Sequence, residues 1–372
     1  MKLLYSCLSN SWGGMEMYTL VSIKQLLKKN FSVELLCIKD SRIHIEANNI
    51  GIIIHPVKAS GYFHPSAVLK TSSIIKRNKY TTIHTQASKD LWILVPALSI
   101  ARMKTPLFLT KQVGSGILKK DFLHKLLYKR VNRLFAISSV IEKNILETCP
   151  IEPEKISIMP NSVDSFQFNP EVVDSEKVRN EFNIKPGEIV LGMLARFTPG
   201  KGHEEFLQAA HDLNKEYNDL KFLVVGEASR GEENYMKEIK KLAEEYTLHN
   251  IIFTGFRSDT AAVLAAMDIF VFPSHSEAFG IALIEAMAMK TASVCSNSDG
   301  VLDIAVDNET SLLFKKADYT DLKEKLKILI DSKELREKFG KNARARVVEN
   351  FDLEKVMKKT VEFYYKELQM LN

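Results

Sequence analysis

The sequence has no run of about 20 consecutive apolar residues, the length that a membrane-spanning helix requires. At the N-terminus polar residues follow a few apolar ones, which predicts a first strand rather than a signal peptide. Only 4 cysteines are present, outside any CxxC or His/Cys cluster. This pattern argues against a disulfide framework and a zinc site, so we expect reduced, buried thiols in a cytoplasmic protein.

The sequence also lacks the signatures of three other classes of protein. No G-x-G-x-x-G fingerprint follows the first apolar run, which disfavours a dehydrogenase. No Asp-x-Asp motif occurs, so we expect no bound metal ion and no cofactor beyond a co-substrate. No stretch interleaves aromatic and basic residues, so we expect no nucleic-acid partner, although a basic nucleic-acid-binding protein is kept as an alternative.

The net charge of +5 conceals an asymmetry between the two halves of the chain. Residues 1–170 contain 23 Lys and Arg against 11 Asp and Glu, whereas residues 171–372 contain 28 against 35. A chain of 372 residues is longer than one hydrophobic core usually serves. We therefore expect two domains with different partners, the basic one facing an anionic acceptor or an anionic membrane.

Short apolar runs alternate with helix-length amphipathic stretches in both halves, which predicts right-handed βαβ crossovers and parallel sheets. The expected fold class is α/β, with two Rossmann-like, doubly wound domains facing across a cleft. We predict one domain over 1–170 and a second over 171–352, since the segment between the two patterns is polar. The final helix, within 353–372, is expected to pack back on the first domain. The strands predicted in the second half are Glu188–Ala195, Lys221–Gly226, Ile251–Gly255, Ile269–Pro273, Ala292–Ser296 and Ser311–Phe314.

The segment Pro273–Ala288 carries two glutamates, Glu277 and Glu285, in a strand-loop-helix pattern. We expect the helix to begin near Gly280–Ala282, so that its free N–H groups point at an anion. Glu277 would then lie in the loop, and Glu285 about one turn into the helix. The alternative is structural: a loop carboxylate and a favourable first-turn acid.

Two further loops follow predicted strands. Arg196 and Lys201 flank a Pro-Gly turn, and two cations beside a helix N-terminus suit a leaving diphosphate. Solvated loop cations are the alternative. Gly13 and Gly14 lie between the first strand and first helix, where paired glycines permit positive φ and close approach of a ligand. A tight βα turn is the alternative there.

These motifs resemble those of glycosyltransferase family 4, which comprises retaining enzymes of the GT-B fold with an EX7E motif. The resemblance implies that Glu277 contacts the donor sugar, that Glu285 holds the ribose, and that Arg196 and Lys201 neutralise the departing nucleoside diphosphate. It also implies that the N-terminal domain over 1–170 binds the acceptor and that the C-terminal domain over 171–352 binds the nucleotide sugar. The donor-binding residues it implies are Gly13, Gly14, Arg196, Lys201, Gly226, Phe256, Glu277, Phe279, Gly280, Ile281 and Glu285.

On the acceptor side, many members of the family carry a cleft-facing His after the strand predicted at Pro106–Thr110. In this sequence that position falls on Lys111 or Gln112, and we take both as candidate catalytic residues beside Glu277, Arg196 and Lys201. His84 matches a different family His, with a core imidazole as the alternative. The resemblance implies that positioning and leaving-group stabilisation dominate catalysis.

Residues 115–133 contain a candidate basic amphipathic helix. Its apolar face is predicted from Ile117, Phe122, Leu123, Leu126, Leu127 and Val131. One interpretation is an ordinary Rossmann helix that buries this face, and the other is a face that rests on an anionic membrane.

Taken together, these features predict a metal-independent, retaining glycosyltransferase that is cytoplasmic and peripheral on the inner face of a membrane. The donor would be a UDP- or GDP-sugar, and the acceptor a glycan or lipid-linked saccharide of cell-surface polysaccharide or lipopolysaccharide biosynthesis. The alternative within the same fold is a sugar-nucleotide epimerase or hydrolase, which would consume the donor with no acceptor present.

Overall fold

The computed structural model describes residues 1–59, 61–229 and 231–370. The chain divides into two compact units: the N-terminal unit comprises Met1–Asn161 and Leu353–Asn372, and the C-terminal unit comprises Ser162–Asp352. The boundary precedes the one expected after residue 170. The N–H group of Val163 donates to the carbonyl oxygen of Phe351 at 3.0 Å, which joins the start of this segment to the end of the C-terminal unit.

The N-terminal unit is built on a seven-stranded parallel sheet in the order β3-β2-β1-β4-β5-β6-β7. Its strands are β1 (Lys2–Cys7), β2 (Ser32–Ile38), β3 (Ile53–Val57), β4 (Thr82–Thr85), β5 (Leu107–Lys111), β6 (Arg133–Ala136) and β7 (Ile156–Ile158). Its helices are α1 (Gly14–Lys28), α2 (Arg42–Ile50), α3 (Pro65–Asn78), α4 (Leu91–Ala101), α5 (Phe122–Lys129), α6 (Ser139–Thr148) and α14 (Leu353–Gln369). The central strands are wholly or almost wholly buried, because helices cover both faces of a doubly wound parallel sheet.

Helix α14 closes the N-terminal unit from the far end of the sequence. Val356 and Met357 are buried in the same core as α1 and β1. The hydroxyl groups of Tyr364 and Tyr5 are 3.1 Å apart and hydrogen-bonded in the interior. The structure thus places this helix on the first unit, where its apolar side completes the core.

The C-terminal unit repeats the scheme with a six-stranded parallel sheet in the order β10-β9-β8-β11-β12-β13. Its strands are β8 (Ile189–Leu194), β9 (Leu220–Val225), β10 (Ile251–Gly255), β11 (Ile269–Phe272), β12 (Ala292–Ser296) and β13 (Leu312–Phe314). Its helices are α7 (Glu176–Glu181), α8 (His203–Leu213), α9 (Glu233–Glu245), α10 (Thr260–Ala265), α11 (Ile281–Ala288), α12 (Tyr319–Asp331) and α13 (Lys333–Asn350).

Each sheet has one point at which the strand order reverses. In the N-terminal unit this point lies between β1 and β4, and in the C-terminal unit between β8 and β11. Ligands of doubly wound sheets bind outside the carboxyl ends of the strands at such points. The loops that follow these four strands are therefore where the functional residues are sought.

Candidate functional site

In the C-terminal unit, the loops that follow β8 and β11 are in direct contact. The N–H group of His275 donates to the carbonyl oxygen of Gly200 at 2.8 Å. Gly202 has φ +80°, and a Cβ atom there would overlap the backbone oxygen of Pro273. Glycine is thus required at this position for two reasons, the left-handed backbone and the close approach of the neighbouring loop.

Lys201 and Glu277 form an ion pair between these two loops. Lys201 Nζ lies 2.5 Å from Glu277 Oε1, and the side chains are only 22% and 16% exposed. The carbonyl oxygen of Glu277 accepts a hydrogen bond of 2.9 Å from the N–H group of Gly300, in the loop after β12. The structure therefore brings two of the predicted site residues together at the switch point. The backbone hydrogen bond from Gly300 fixes the position of Glu277.

Arg196 lies just after β8, and its side chain points in a different direction from that of Lys201. Its side chain is exposed, and its Nη1 atom donates to Ser229 Oγ at 2.9 Å. Nearby, Thr198 Oγ1 donates to Glu232 Oε2 at 2.7 Å. The Arg196 guanidinium is thus directed toward the loop after β9, and an exposed side chain of this length is free to swing toward an anion.

Helix α11 begins at Ile281, within the range that the sequence predicts. Gly280 is its N-cap residue with φ +129°, so the first N–H groups of the helix carry no side-chain cap. Glu285 lies about one turn in, and burial raises the pKa of its carboxyl group to about 8. Within residues 1–59, 61–229 and 231–370, no hydrogen-bond or ion-pair partner reaches that carboxyl group. An unpartnered acid beside a free helix N-terminus is suited to hydroxyl and phosphate groups.

The remaining donor-site candidates of this unit are placed as follows. The Phe279 ring is buried and packs edge-on against Phe351 at 5.7 Å between centroids, so this side chain holds the loop in place. Gly226 has φ +143°, and a Cβ atom there would overlap the carbonyl oxygen of Ala195. Phe256, after β10, is 44% exposed and presents an aromatic surface.

The paired glycines of the N-terminal unit lie at the start of α1. Gly13 is the N-cap residue of α1 in an extended conformation with φ −169°, and Gly14 is the first residue of the helix. The carbonyl oxygen of Gly13 accepts a hydrogen bond of 3.0 Å from the N–H group of Met17. Neither glycine uses the positive φ that the pair permits, and residues 8–13 connect β1 to α1.

Lys111 and Gln112 lie at the carboxyl end of β5, and both are buried. Burial lowers the pKa of the Lys111 ammonium group to about 8. Gln112 Nε2 donates to Gln86 Oε1 at 3.0 Å and to Asn161 Oδ1 at 3.1 Å. Gln112 thus belongs to a chain of buried amides that links the ends of β4, β5 and β7.

His84 is a core imidazole. Its Nδ1 atom is hydrogen-bonded to the hydroxyl group of Tyr364 at 2.5 Å, and its Nε2 atom to Thr110 Oγ1 at 2.8 Å. Burial lowers the pKa of the ring to about 3, so it is neutral at physiological pH. The structure therefore supports the alternative interpretation of His84, that of a core residue.

The basic segment 115–133 is helical only over Phe122–Lys129, where the Asp121 carboxylate caps the helix. Its expected apolar face is split, because Leu127 and Val131 are buried in the unit. The other four apolar side chains of that face are exposed, namely Ile117, Phe122, Leu123 and Leu126. The neighbouring Leu118 is exposed as well.

Two general expectations are also addressed by the structure. All four cysteines, Cys7, Cys37, Cys149 and Cys295, are buried free thiols. In the part of the chain that the structure describes, no helix combines the length and apolar character needed to span a membrane.

Sequence reasoning missed Gln86 and Asp90, which follow β4. The signal was available, since β4 borders the reversal of strand order and polar residues after such a strand line the ligand-binding edge.

Two family models match the chain: "Glycosyltransferase Family 4" over residues 12–165 and "Glycosyl transferases group 1" over residues 174–346. The capsular polysaccharide biosynthesis glycosyltransferase CapM of Staphylococcus aureus is 28% identical over 233 residues, which cover 62% of this chain and 60% of CapM. An N,N'-diacetylbacillosaminyl-diphospho-undecaprenol α-1,3-N-acetylgalactosaminyltransferase of Campylobacter jejuni is 28% identical over 75% of this chain and 77% of the relative. The chain spans about 60% of the length of CapM and of the archaeal trehalose synthases that it also matches.

Solved structures share the fold over nearly the full length. A glycosyltransferase from Rickettsia africae superimposes with a TM-score of 0.89 at 23% identity, covering 99% of this chain and 98% of that one. Anabaena HepE in complex with UDP-glucose gives a TM-score of 0.83 at 20% identity, covering 98% and 100%. With both family models matched along most of its length, the chain belongs to glycosyltransferase family 4 and has the GT-B fold.

Proposed function

We propose that this chain is a retaining, metal-independent glycosyltransferase that moves a sugar from a nucleotide-sugar donor to a lipid-linked or glycan acceptor. The observation that carries the proposal is the Lys201–Glu277 pair at the switch point of the C-terminal unit, beside the uncapped N-terminus of α11. A cation, free backbone N–H groups and a carboxylate in one place match the diphosphate and hydroxyl groups of a sugar nucleotide.

The donor is proposed to bind the C-terminal unit. Lys201 and the N–H groups near Gly280 and Ile281 bind the diphosphate, and Arg196 swings in from the protein surface. Glu277 accepts hydrogen bonds from hydroxyl groups of the sugar. The half-buried carboxyl group of Glu285 gains hydroxyl partners from the ribose. Anabaena HepE, which shares the fold, was solved with UDP-glucose.

The proposed mechanism depends on stabilising the negative charge that develops on the diphosphate as its bond to the sugar breaks. The bond between the sugar C1 and the diphosphate oxygen breaks, and its electron pair leaves with the diphosphate. Lys201 and Arg196 neutralise that charge, which is the role a divalent ion plays in other transferases. The acceptor hydroxyl oxygen bonds to C1 on the face that the leaving group vacates. Its proton passes to the departing phosphate oxygen, so the configuration at C1 is retained.

The acceptor is proposed to bind the N-terminal unit, which carries the excess of basic residues. The Campylobacter relative is described as acting on a diphospho-undecaprenol-linked sugar, and CapM as acting in capsular polysaccharide biosynthesis. A lipid-linked acceptor requires the enzyme to work at a membrane surface. We therefore propose that the chain works on the cytoplasmic face of a membrane.

The exposed apolar and basic residues around α5 are the proposed contact with that membrane. Phe122 is 72% exposed and Leu123 53%, an arrangement that a water-facing helix does not require. Exposed lysines flank them at Lys120, Lys125 and Lys129. Apolar side chains that enter the acyl boundary, bordered by cations that meet anionic head groups, are typical of peripheral membrane helices.

The test combines donor binding and transfer. UDP-, GDP- and ADP-sugars are screened by thermal shift with and without EDTA, and we expect one nucleotide class to raise the melting temperature equally in both conditions. At a donor concentration 100 times Kd the stabilisation is about 2.7 kcal/mol. Transfer of a labelled sugar to an undecaprenyl-diphosphate-linked N-acetylhexosamine, with the product anomer read by NMR, then tests the reaction. Equal donor consumption without any acceptor would favour the epimerase or hydrolase instead.

A further inference from the structure

The imidazole of His275 links the two segments of the C-terminal unit that carry Lys201 and Glu277, yet the proposed reaction gives it no role. Its Nε2 atom is hydrogen-bonded to Glu205 Oε1 at 2.8 Å. Glu205 lies in the first turn of α8, four residues after Lys201. His275 precedes Glu277 by two residues. The hydrogen bond between the two side chains therefore joins the same two segments as the Lys201–Glu277 ion pair.

His275 contacts the Lys201 segment on both sides of the lysine in the sequence. Its N–H group donates to the carbonyl oxygen of Gly200, the residue directly before Lys201. Its side chain reaches Glu205, which follows Lys201. Two attachments from one residue restrict rotation between the segments as well as their separation. They therefore fix the position of Glu277 relative to Lys201, as supporting hydrogen bonds do around functional sites.

The proposed donor binding creates the need for these attachments. Lys201 is proposed to bind the diphosphate and Glu277 the sugar, so each group exchanges its present partner for the ligand. The ion pair of 2.5 Å that joins the two segments in the free protein is then lost when the segments must be held in place. The contacts of His275 use neither the Lys201 ammonium group nor the Glu277 carboxylate, so they persist when the donor binds.

Glu205 is an unfavourable residue for the stability of the fold. Its side chain is only 14% exposed, and its Oε2 atom is buried with no hydrogen-bond partner among the described residues. Because that oxygen has lost its hydration without replacement, an apolar side chain of similar length should be tolerated at least as well. A residue that costs stability and contacts a functional loop is expected where function requires it.

We propose that His275 and Glu205 are positioning residues, which hold Glu277 in place relative to Lys201 while the donor is bound. The proposal rests on the glycosyltransferase function proposed above, and the two residues act through Lys201 and Glu277 without contacting the donor. A sugar nucleotide needs both of those side chains in the correct relative position, whereas a nucleoside diphosphate does not use the Glu277 carboxylate. Loss of the His275–Glu205 hydrogen bond should therefore weaken binding of the sugar nucleotide selectively.

Glu205→Met and Glu205→Gln test the pair, because both new side chains are unbranched and close to glutamate in length. Gln keeps an oxygen that accepts from the imidazole, whereas Met removes it. UDP, GDP and ADP and their glucose derivatives are titrated by calorimetry. We expect Glu205→Met to raise the Kd of the bound glucose derivative at least about fivefold and that of its diphosphate less than about twofold. Glu205→Gln should keep both Kd values within about twofold of the parent's.

Glu204→Met is the matched control. Glu204 shares the first turn of α8, so its replacement removes the same favourable charge from the helix N-terminus. Its carboxylate accepts from the Tyr235 hydroxyl group at 2.8 Å and not from His275. We expect unchanged Kd values for both ligands in Glu204→Met. Glu205→Met should also melt no lower than Glu204→Met, and a lower melting temperature would assign Glu205 a structural role and overturn the proposal.

His275→Phe keeps a planar ring and the backbone hydrogen bond but removes the ring nitrogens. Combined with Glu205→Met, it should cost no more affinity than either variant alone, because both changes remove one interaction. Equal Kd values for the glucose derivative in the parent and Glu205→Met, or equal losses in Glu205→Met and Glu205→Gln, would overturn the positioning role alone. A parent that binds none of the glucose derivatives would instead contradict the donor site proposed above, and the two residues would have nothing to position.

Discussion

Lys201 Nζ lies 2.5 Å from Glu277 Oε1, so the cation proposed to neutralise the leaving diphosphate is already paired with the carboxylate proposed to hold the sugar. Both side chains are mostly buried, so water and salt screen their attraction less than that of a surface salt bridge, while both groups lose hydration. In the free protein, the Glu277 carboxylate makes the contact with Lys201 that the diphosphate is proposed to make. Donor binding must therefore exchange this ion pair for contacts with the diphosphate and with the sugar.

The first prediction concerns this exchange. Glu277→Gln frees the Lys201 ammonium group from its counter-ion, so affinity for the nucleoside diphosphate alone should rise by roughly three- to tenfold. Sugar transfer should fall by about 100-fold or more, because the sugar loses a charged acceptor in the transition state. Calorimetry and a transfer assay measure the two effects. Parallel losses of diphosphate affinity and transfer would show that Glu277 does not compete for Lys201.

The second prediction concerns Glu285 and pH. Burial raises the pKa of its carboxyl group in the folded protein from about 4.5 to about 8. The folded state thus favours the protonated form of Glu285. The stability that this proton contributes to the fold is fully present below pH 4.5 and is lost as the pH rises through 8. Glu285→Gln stays neutral, so it should be more stable than the parent by roughly 1–3 kcal/mol at pH 8.5 and equal to it near pH 4.

Denaturant unfolding across this pH range measures that difference. Glu244→Gln, at an exposed glutamate of α9, is the control and should show no such trend. A Glu285→Gln variant that is less stable than the parent at pH 8.5 would mean that the carboxylate has a stabilising partner. The same variant should bind nucleotide more weakly if the ribose contact is real.

Most strands of the C-terminal unit could be predicted from the sequence, because the apolar runs and turn residues that specify them are local. β10, β12 and the start of α11 coincide with the predicted ranges, since apolar runs between turn residues specify strands without reference to the rest of the chain. Helix α13 was missed, because its apolar positions are few and it is held by packing. A Cβ atom at Gly340 would overlap the carbonyl oxygen of Lys290, which shows how closely this helix approaches the C-terminal end of α11.

The parts of the site that escaped prediction depend on distant residues. His84 is neutral because Tyr364, 280 positions away, closes the core around it. Asp90 Oδ2 accepts hydrogen bonds from Ser6 on β1 and Thr85 on β4, which no spacing rule connects. The Lys201–Glu277 pair joins residues 76 positions apart, and the family motifs identified both residues but not their contact.

The third prediction concerns the turn that holds the Glu277 loop. A Cβ atom at Gly300 would lie 2.5 Å from the carbonyl oxygen of Ala278 and 2.9 Å from that of Glu277. Gly300→Ala should therefore lower the free energy of unfolding by about 1–3 kcal/mol and weaken donor binding, because the loop must move. Gly116→Ala is the matched control, since its Cβ atom would meet nothing within 4 Å. Thermal unfolding that is identical in both variants would contradict this account of the loop.

The fourth prediction concerns the membrane face. Phe122→Ser together with Leu126→Ser should lower binding to vesicles that contain anionic lipid by about tenfold or more, since burying one Phe side chain is worth roughly 2 kcal/mol. Ile45→Ser, at a 56% exposed position of α2, is the control and should bind as the parent does. Sedimentation with vesicles measures the effect. Equal binding of both variants would remove α5 from the proposed contact.

The most direct test of the central claim is calorimetric titration of the nucleoside diphosphates UDP, GDP and ADP into the parent, Lys201→Met and Lys215→Met. Lys215 is a 62% exposed lysine paired with Asp212 and serves as the control. If Lys201 binds the leaving diphosphate, the Kd of the preferred nucleotide rises at least about tenfold in Lys201→Met and stays unchanged in Lys215→Met. Equal affinity in all three proteins would contradict the proposed donor site.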